Sequence, residues 1–312
     1  MKKMKLLAAK RKSNKRNPSV ASAESRGRRR ITKAIIAVAG SGTRLLPATK
    51  SMPKEMLPIV DKPIIQLVVE ELVAGGITDI ILVTKWDKKP LEDHFDYSWA
   101  LENDLKKAGK HQLVEQIRRV SEMANFIYVR QKGPYGNGTP VLSAAKLVKD
   151  EPFVFAWGDD LVKSKVSFTK QMIDEYNTTG HLMIGVQKVP KRDVNRYGIV
   201  KLKKNSTRLE DIIEKPSIEK APSQFADFGR MILDQDIVDT LQKTALGKGN
   251  ELWIVDAIRK YIQRGGEFHA KAIENGTWLT TGDPLSYLHT YLTYAMDRPE
   301  LKRYLTKHNF TL

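Results

Sequence analysis

The chain alternates between short apolar runs and longer segments in which apolar residues recur every three or four positions. The apolar runs are bounded by glycine or polar residues, which is typical of buried parallel strands. They lie at residues 34–38, 80–83, 126–129 and 153–156. Helical periodicity fills residues 87–122, with two or three helices expected there, and residues 138–148. This βαβ order predicts an α/β fold with a doubly wound, mostly parallel sheet.

One helix carries clear start and stop signals. Asp61 is expected to cap its N-terminus, and Pro63 fits the first turn. Apolar residues then follow at helical spacing from Ile64 to Leu72, and Gly75 is expected to end the helix.

After Asp159 the pattern changes to short strands separated by polar turns. Strands are predicted at residues 183–186, 198–202 and 225–228, and helices at about 235–243, 252–263 and 284–297. The strands are expected to form a mixed β extension that covers the carboxyl edge of the sheet, where such folds bind ligands. We expect one domain over residues 32–300, a tail over 1–31 and a C-terminal tail over 301–312.

Composition excludes several classes of protein. The 312 residues include no cysteine, which rules out disulfides and zinc–thiolate sites and favours a reducing, cytoplasmic location. No apolar run reaches the roughly 18 residues that a membrane-spanning helix needs, so no membrane role is expected. The six histidines are scattered without metal-ligand spacing.

The net charge of +17 is concentrated at the N-terminus. Residues 1–30 hold twelve Lys or Arg and one acid, Glu24, which is +11 of the total. They have few large apolar side chains, so a disordered tail is expected. An extension without a specific role, nonspecific contact with nucleic acid, and a transit peptide are alternative interpretations.

The most informative chemistry follows the first predicted strand. Gly40 and Gly42 form a glycine-rich turn that ends in Arg44, and Lys54 follows on a loop stiffened by prolines. Such a turn lets backbone N–H groups approach phosphate oxygens, and the two cations add positive charge there. The spacing fits neither the G-x-G-x-x-G fingerprint of dinucleotide-binding folds nor the G-x-x-x-x-G-K-[ST] phosphate loop.

The full string over residues 40–58 is far more specific. It reads G-x-G-T-R-x-L-P-x-T-x-x-x-P-K-E-x-L-P and resembles the signature of sugar-1-phosphate nucleotidyltransferases. It is most similar to their UTP–glucose-1-phosphate uridylyltransferase branch, and the resemblance extends over residues 33–297. The family implies a Rossmann-like nucleotidyltransferase sheet, Mg²⁺ as cofactor, and Arg44, Lys54 and Lys215 as catalytic residues.

The resemblance also implies which residues bind the nucleotide. The segment from Arg130 to Gly138 resembles the family's base-reading R-Q-x-x-P-x-G-x-G. The family's G-x-G-H-A is replaced by Gly136-Asn137-Gly138-Thr139-Pro140, so UTP and dTTP both remain open. The residues expected to bind the nucleotide are Ala39, Gly40, Ser41, Gly42, Thr43, Glu55, Gln131, Gly136 and Asp159.

Carboxylates are expected at a metal site and at a sugar site. Asp159, in the family's G-D-D pattern, is the predicted Mg²⁺ ligand. The family's late aspartate is replaced by Thr280, so Asp283, or waters and phosphates, would complete the shell, or metal-dependent activity is weakened. The resemblance assigns the sugar phosphate to Asp160, Gly198, Glu214 and Lys215.

The expected reaction is transfer of UMP from UTP to α-D-glucose 1-phosphate, giving UDP-glucose and pyrophosphate. The alternatives are the same chemistry with dTTP or another sugar 1-phosphate, a binding or regulatory homologue with little turnover, and a nucleic-acid-binding protein. Residues 251–258 read E-L-W-I-V-D-A-I and resemble a late helix motif of the family, E-[IL]-x-[IL]-x-D-A-I, which is interpreted as architectural. Arg230 is an open candidate for contact with the ligand. The helix from Asp283-Pro284 onward and residues 298–312 are expected to support a homo-oligomer, a dimer or tetramer.

Overall fold

A computed structural model describes residues 30–308. The strands in chain order are β1 Lys33–Ala37, β2 Pro58–Ile59, β3 Lys62–Pro63, β4 Asp79–Thr84, β5 Asn125–Arg130, β6 Phe153–Trp157, β7 Asp160–Ser164, β8 Leu182–Lys188, β9 Gly198–Leu202, β10 Leu209–Glu214, β11 Phe225–Leu233, β12 Phe268–Ala272 and β13 Gly276–Thr280. The helices are α1 Ile64–Ala74, α2 Lys89–Phe95, α3 Trp99–Lys107, α4 His111–Glu122, α5 Thr139–Ala144, α6 Phe168–Thr179, α7 Gln235–Gln242, α8 Ile254–Gln263, α9 Pro284–Ala295 and α10 Pro299–Lys307.

A nine-stranded sheet organises these elements. Its main path runs β10-β9-β11-β6-β1-β4-β5, and β8 pairs with β11 and carries β12 at its other edge. Strands β6, β1, β4 and β5 are parallel, whereas β11 lies antiparallel to β6, β8 and β9. The predicted α/β class, with a parallel half and a mixed β extension, is confirmed.

Helices cover both faces of the parallel half. Helix α1 packs against α6, while α5 packs against β1 and α7, and α7 packs against α8. Strands covered on both sides must be apolar along their whole length. Accordingly Ile35, Ile81 and Phe155, which are aligned across β4, β1 and β6, are all fully buried. The carboxyl ends of β1 and β6 therefore meet at one edge of a rigid core.

Several elements differ from the predictions. Asp61 does not cap α1; Pro63 precedes that helix, and Asp61 accepts a bond from Arg298 at 2.8 Å. Helix α6 and strands β7, β10, β12 and β13 are absent from the predicted set, because polar residues interrupt their apolar ones and none contains the continuous apolar run that marks β1, β4 and β6. The boundary predicted at residue 300 falls inside α10, so the fold continues to residue 307.

Two predictions concern the chain ends and the membrane. The predicted N-terminal tail covers residues 1–31, of which 1–29 lie outside the described residues, as do 309–312. Within residues 30–308, no helix is both long and apolar enough to cross a bilayer.

Candidate active site

A cleft of about 600 Å³ opens at the carboxyl ends of β1, β5 and β6. That volume is typical of small-molecule sites. Most of the residues that the sequence singles out line it: Ala39, Gly40, Ser41, Thr43, Arg44, Lys54, Gln131, Gly136, Asp159, Asp160, Gly198, Glu214 and Lys215. Three others, Gly42, Glu55 and Asp283, do not line it.

The glycine-rich turn packs against the loop that carries Lys54. Gly42 has φ 65° and ψ 25°, in the left-handed region, and a Cβ there would lie 3.2 Å from the Lys54 Cβ. Thr49 donates its hydroxyl to the Gly42 carbonyl at 2.8 Å. Gly42 thus shapes the turn from behind, while Gly40 and Ser41 face the cleft.

Lys54 and Asp159 form an ion pair at the centre of the cleft. The Lys54 Nζ donates to the Asp159 Oδ2 at 2.5 Å, and both side chains are mostly buried. Burial alone lowers the pKa of Lys54, but the carboxylates of Asp159 and Glu55 outweigh that effect and the pKa is raised. The ammonium therefore stays charged where the sequence predicts a triphosphate.

Glu55 lies behind the cleft and not in it. Its side chain is fully buried and accepts from the Lys88 Nζ at 2.7 Å. Burial raises the pKa of Glu55, and the charges of Lys88 and Lys54 oppose the shift. Glu55 is therefore a buried partner of Lys88 whose charge also acts on Lys54, and its contact with the nucleotide stays a prediction.

Asp160 follows Asp159 but points into a different environment. It begins β7 and accepts from the Trp278 Nε1 at 2.7 Å. Burial and the charge of Asp159 raise the pKa of Asp160 to about 7. Thr280 pairs with Asp160 across β7 and β13 and lines the cleft.

The Asp283 carboxylate accepts hydrogen bonds from two groups outside the predicted metal site. It caps α9 by accepting from the Ser286 backbone N–H at 3.0 Å, and it accepts from Arg196 at 2.6 Å. Burial would raise the pKa of Asp283, but the bonds from Ser286 and Arg196 outweigh it and the pKa is lowered. Both oxygens of Asp283 are thus bonded to α9 and Arg196, and its place in a metal shell stays a prediction.

The predicted base-reading loop is fastened to the segment before α8. Gly136 has φ 127°, and a Cβ there would lie 2.2 Å from the Leu252 carbonyl oxygen. The Gly138 N–H donates to that oxygen at 2.9 Å, and the Leu252 N–H donates to the Tyr135 carbonyl at 2.7 Å. Only glycine fits at Gly136, so the loop is held in one conformation beside Gln131.

The opposite end of the cleft carries the predicted sugar clamp. A Cβ on Gly198 would lie 3.3 Å from the Glu214 Oε2, so the glycine leaves room for that carboxylate. Burial raises the pKa of Glu214, and the charge of Lys215 opposes the shift. The Glu214 Oε2 is buried without a hydrogen-bond partner among the described residues. The Lys215 Nζ lies 3.4 Å from the Glu214 Oε1.

Sequence reasoning missed several residues of the cleft. Arg196, Glu251 and Trp253 line it, although the last two belong to a motif that the sequence marks as architectural. For Arg196 the nearest signal in the sequence is its position two residues before Gly198, which the sequence does single out. Conversely, Arg230 is buried and pairs with Glu71 at 3.2 Å, so it does not reach the cleft.

The donor set of the cleft suits a hard divalent cation. Asp159 supplies a carboxylate, and Thr280 adds only a hydroxyl. Mg²⁺ commonly binds through one or two carboxylates together with waters and substrate phosphates. The residues present therefore fit a magnesium ion held by Asp159.

The fold and this cleft define a phosphate-handling α/β protein, and residues 33–296 match the Nucleotidyl transferase family. The chain belongs to that family, whose members generally use a divalent metal. It is 41% identical over 281 residues to UTP–glucose-1-phosphate uridylyltransferase YngB of Bacillus subtilis (strain 168), covering 89% of this chain and 94% of the relative.

Solved structures of UDP-glucose pyrophosphorylases are also similar to this chain. A UTP-bound UGPase from Acinetobacter baumannii superposes with a TM-score of 0.81 at 36% identity, over 90% of this chain and 99% of that one. A UDP-glucose pyrophosphorylase complexed with UDP-glucose gives a TM-score of 0.76 at 38% identity, over 86% and 100%. The resemblance drawn from residues 33–297 is confirmed.

The buried carboxyl of Asp160 predicts a pH dependence of stability. Its pKa is about 7 in the folded protein against an ordinary value of 3.8, so the folded state binds more protons and the unfolding free energy falls as pH rises between those values. Asp160→Asn keeps an oxygen acceptor for Trp278 without the charge. It should raise the unfolding free energy relative to wild type at pH 8 and do so much less at pH 5, measured by urea unfolding.

A matched control is Asp174→Asn, which removes an exposed carboxylate that pairs with Lys170 on α6. It should show no such gain at pH 8. An equal effect of Asp160→Asn at both pH values would contradict the assignment of a raised pKa.

Proposed function

We propose that this protein transfers UMP from UTP to α-D-glucose 1-phosphate, giving UDP-glucose and pyrophosphate. The observation that carries the proposal is that two groups of residues suited to different substrates line the same cleft. One end has a glycine-rich turn with Arg44 and Lys54, and the other has Glu214 beside Lys215. Relatives named for this activity, at 41% identity over 281 residues, support the choice of substrates.

The chemistry needs positioning and charge more than proton transfer. An oxygen of glucose 1-phosphate, already anionic, attacks the α-phosphorus of UTP as the bond to the leaving pyrophosphate breaks in line. Lys215 holds the attacking phosphate through a charge-assisted bond. Arg44 and Lys54 neutralise the charge that accumulates on pyrophosphate. No general base is required.

The remaining residues select the two substrates. Gln131 and Gly136 would bind the uracil through an amide side chain and backbone, and the turn from Ala39 to Thr43 would offer N–H groups to the phosphates. Gly198 leaves room for the hexose, and Glu214 accepts from its hydroxyls. Asp160, which holds Trp278, shapes the floor between the two substrates.

We propose Mg²⁺ as the cofactor, held by Asp159 together with phosphate oxygens and water. When bound, it supplies positive charge that screens the triphosphate and polarises its phosphoryl oxygens. Lys54, which already faces Asp159 at 2.5 Å, keeps that carboxylate oriented.

A cytoplasmic location and a homo-oligomer complete the proposal. Leu285 and Leu288 on α9 are 78% and 53% exposed, and such apolar side chains on one helix suit a contact between copies. The cysteine-free composition is compatible with a reducing compartment.

Substrate choice is tested by pyrophosphate release. The purified protein with Mg²⁺ should release pyrophosphate from UTP with glucose 1-phosphate faster than with dTTP or other sugar 1-phosphates. A preference for another pair would keep the mechanism and change the substrates. Tight UTP binding without release from any pair would contradict the proposed activity and favour a regulatory homologue.

Two substitutions separate the roles of the cations. Lys215→Ala should raise KM for glucose 1-phosphate about 10- to 100-fold, because a hydrogen bond to a charged group is lost. Arg44→Ala should mainly lower kcat, by about 100-fold, since its charge is needed most as pyrophosphate leaves. Lys201→Ala, which removes an exposed lysine paired with Glu210, is the control. Unchanged kinetics in both variants would refute the assignment.

Thr280 stands where the sequence resemblance implies an aspartate, and this difference predicts an effect on Mg²⁺ binding. Thr280→Asp places a second carboxylate opposite Asp160, across β7 and β13. It should lower the Mg²⁺ concentration that half-saturates UTP binding by about tenfold, measured by calorimetry. Thr280→Asn, similar in size but neutral, should leave that concentration unchanged. The same result from both variants would show that position 280 does not face the metal.

A further inference from the structure

One short segment contacts both ends of the cleft. Residues 251–254 join the turn at 248–250 to α8, and their backbone is bonded to the base-reading loop at three points. The Gly138 N–H donates to the Leu252 carbonyl at 2.9 Å, and the Leu252 N–H donates to the Tyr135 carbonyl at 2.7 Å. The Ile254 N–H donates to the Asn137 Oδ1 at 2.9 Å. The segment is therefore tied to the base-reading loop by three hydrogen bonds.

The side chain of Trp253 extends from this segment to the other end. The Lys215 Nζ lies 4.4 Å from the centroid of the Trp253 ring, within the range of a cation–π interaction. The indole N–H donates to the Lys248 carbonyl at 2.9 Å, and the residue is 9% exposed. A buried ring with its N–H bonded is a rigid support.

Lys215 needs such a support. It has φ 43°, in the left-handed region that few non-glycine residues occupy, and it follows directly after β10. Its side chain is 38% exposed. A flexible lysine in that environment loses much rotamer freedom when it is held in one place. The Glu214 Oε1, 3.4 Å away, restrains the ammonium from one side, and the Trp253 ring provides a second contact that limits its movement.

We propose that Trp253 is a positioning residue for Lys215. Its π face holds the ammonium where the phosphate of the sugar substrate binds, and its backbone ties that position to the loop that reads the base. The proposal rests on the proposed function, because it takes Lys215 as the cation for glucose 1-phosphate. Trp253 itself contacts neither the reacting oxygen nor the phosphorus. One consequence is that the base loop and the sugar-phosphate cation keep a fixed separation.

The π face is tested by comparing Trp253→Leu with Trp253→Phe. Both variants lose the indole N–H bond, but only the leucine variant also loses the aromatic face. Trp253→Leu should raise KM for glucose 1-phosphate about fivefold with KM for UTP unchanged, and Trp253→Phe should restore KM to within about twofold of wild type. Equal effects of the two substitutions, or an equal rise in KM for UTP, would overturn the proposal.

Repeating the Trp253 substitutions in a Lys215→Met background tests whether their effect on KM for glucose 1-phosphate depends on the lysine. There, the difference between the leucine and phenylalanine variants should vanish, because no ammonium remains for the ring to hold. A difference that persists would assign Trp253 a packing role alone and overturn the proposal.

Urea unfolding of the same variants distinguishes a failure of this proposal from a failure of the proposed function. If the wild type releases no pyrophosphate from UTP and glucose 1-phosphate, the proposed function fails and the kinetic comparison cannot be made. In that case, the unfolding free energies of the same variants show whether Trp253 and Lys215 interact. If Trp253→Leu lowers the unfolding free energy more when Lys215 is present than in the Lys215→Met background, the contact between Trp253 and Lys215 is supported. An equal decrease in both backgrounds overturns it.

Discussion

The pair of Lys54 and Asp159 is the interaction on which the rest of the cleft depends. It joins the loop after β1 to the end of β6, and these two strands are parallel neighbours in the buried centre of the sheet. The glycine-rich turn packs against the same lysine, and Glu55 beneath it is fixed by Lys88. Because this pair holds the loop lysine against the aspartate that follows β6, the proposed phosphate and metal chemistry would share one location.

The cleft lies where the two halves of the sheet meet. Strands β6, β1, β4 and β5 are parallel, and the segments after β1, β5 and β6 carry the residues proposed to bind the phosphates and the base. Strands β9 and β10 pair antiparallel, and Gly198 and Glu214 of the proposed sugar clamp lie on them. Under the proposed function, the nucleotide and the sugar phosphate would be held by different elements and would meet near Asp159. Segment 251–254 spans the two sides and fixes their separation.

Much of this arrangement could be predicted from the sequence, and the reasons differ by element. The long apolar strands β1, β4 and β6 and the motif at 40–58 were recognisable because buried parallel strands and a phosphate turn each impose a local pattern. The roles of Glu55 and Asp283 could not be read in the same way. Whether a carboxylate faces a cleft, pairs with Lys88 or caps a helix depends on tertiary contacts that the local sequence does not carry. Trp253 was missed because its partner Lys215 is 38 positions away in the chain, and only the fold brings them together.

The most direct test of the account is a crystal structure of the protein with UDP-glucose and Mg²⁺. The account predicts the uracil beside Gln131 and Gly136, the glucose hydroxyls on Glu214, and the Lys215 ammonium within about 3 Å of a phosphate oxygen, which is hydrogen-bond distance. Binding of UDP-glucose outside this cleft, or with the hexose on the base loop and the uracil on Glu214, would contradict it.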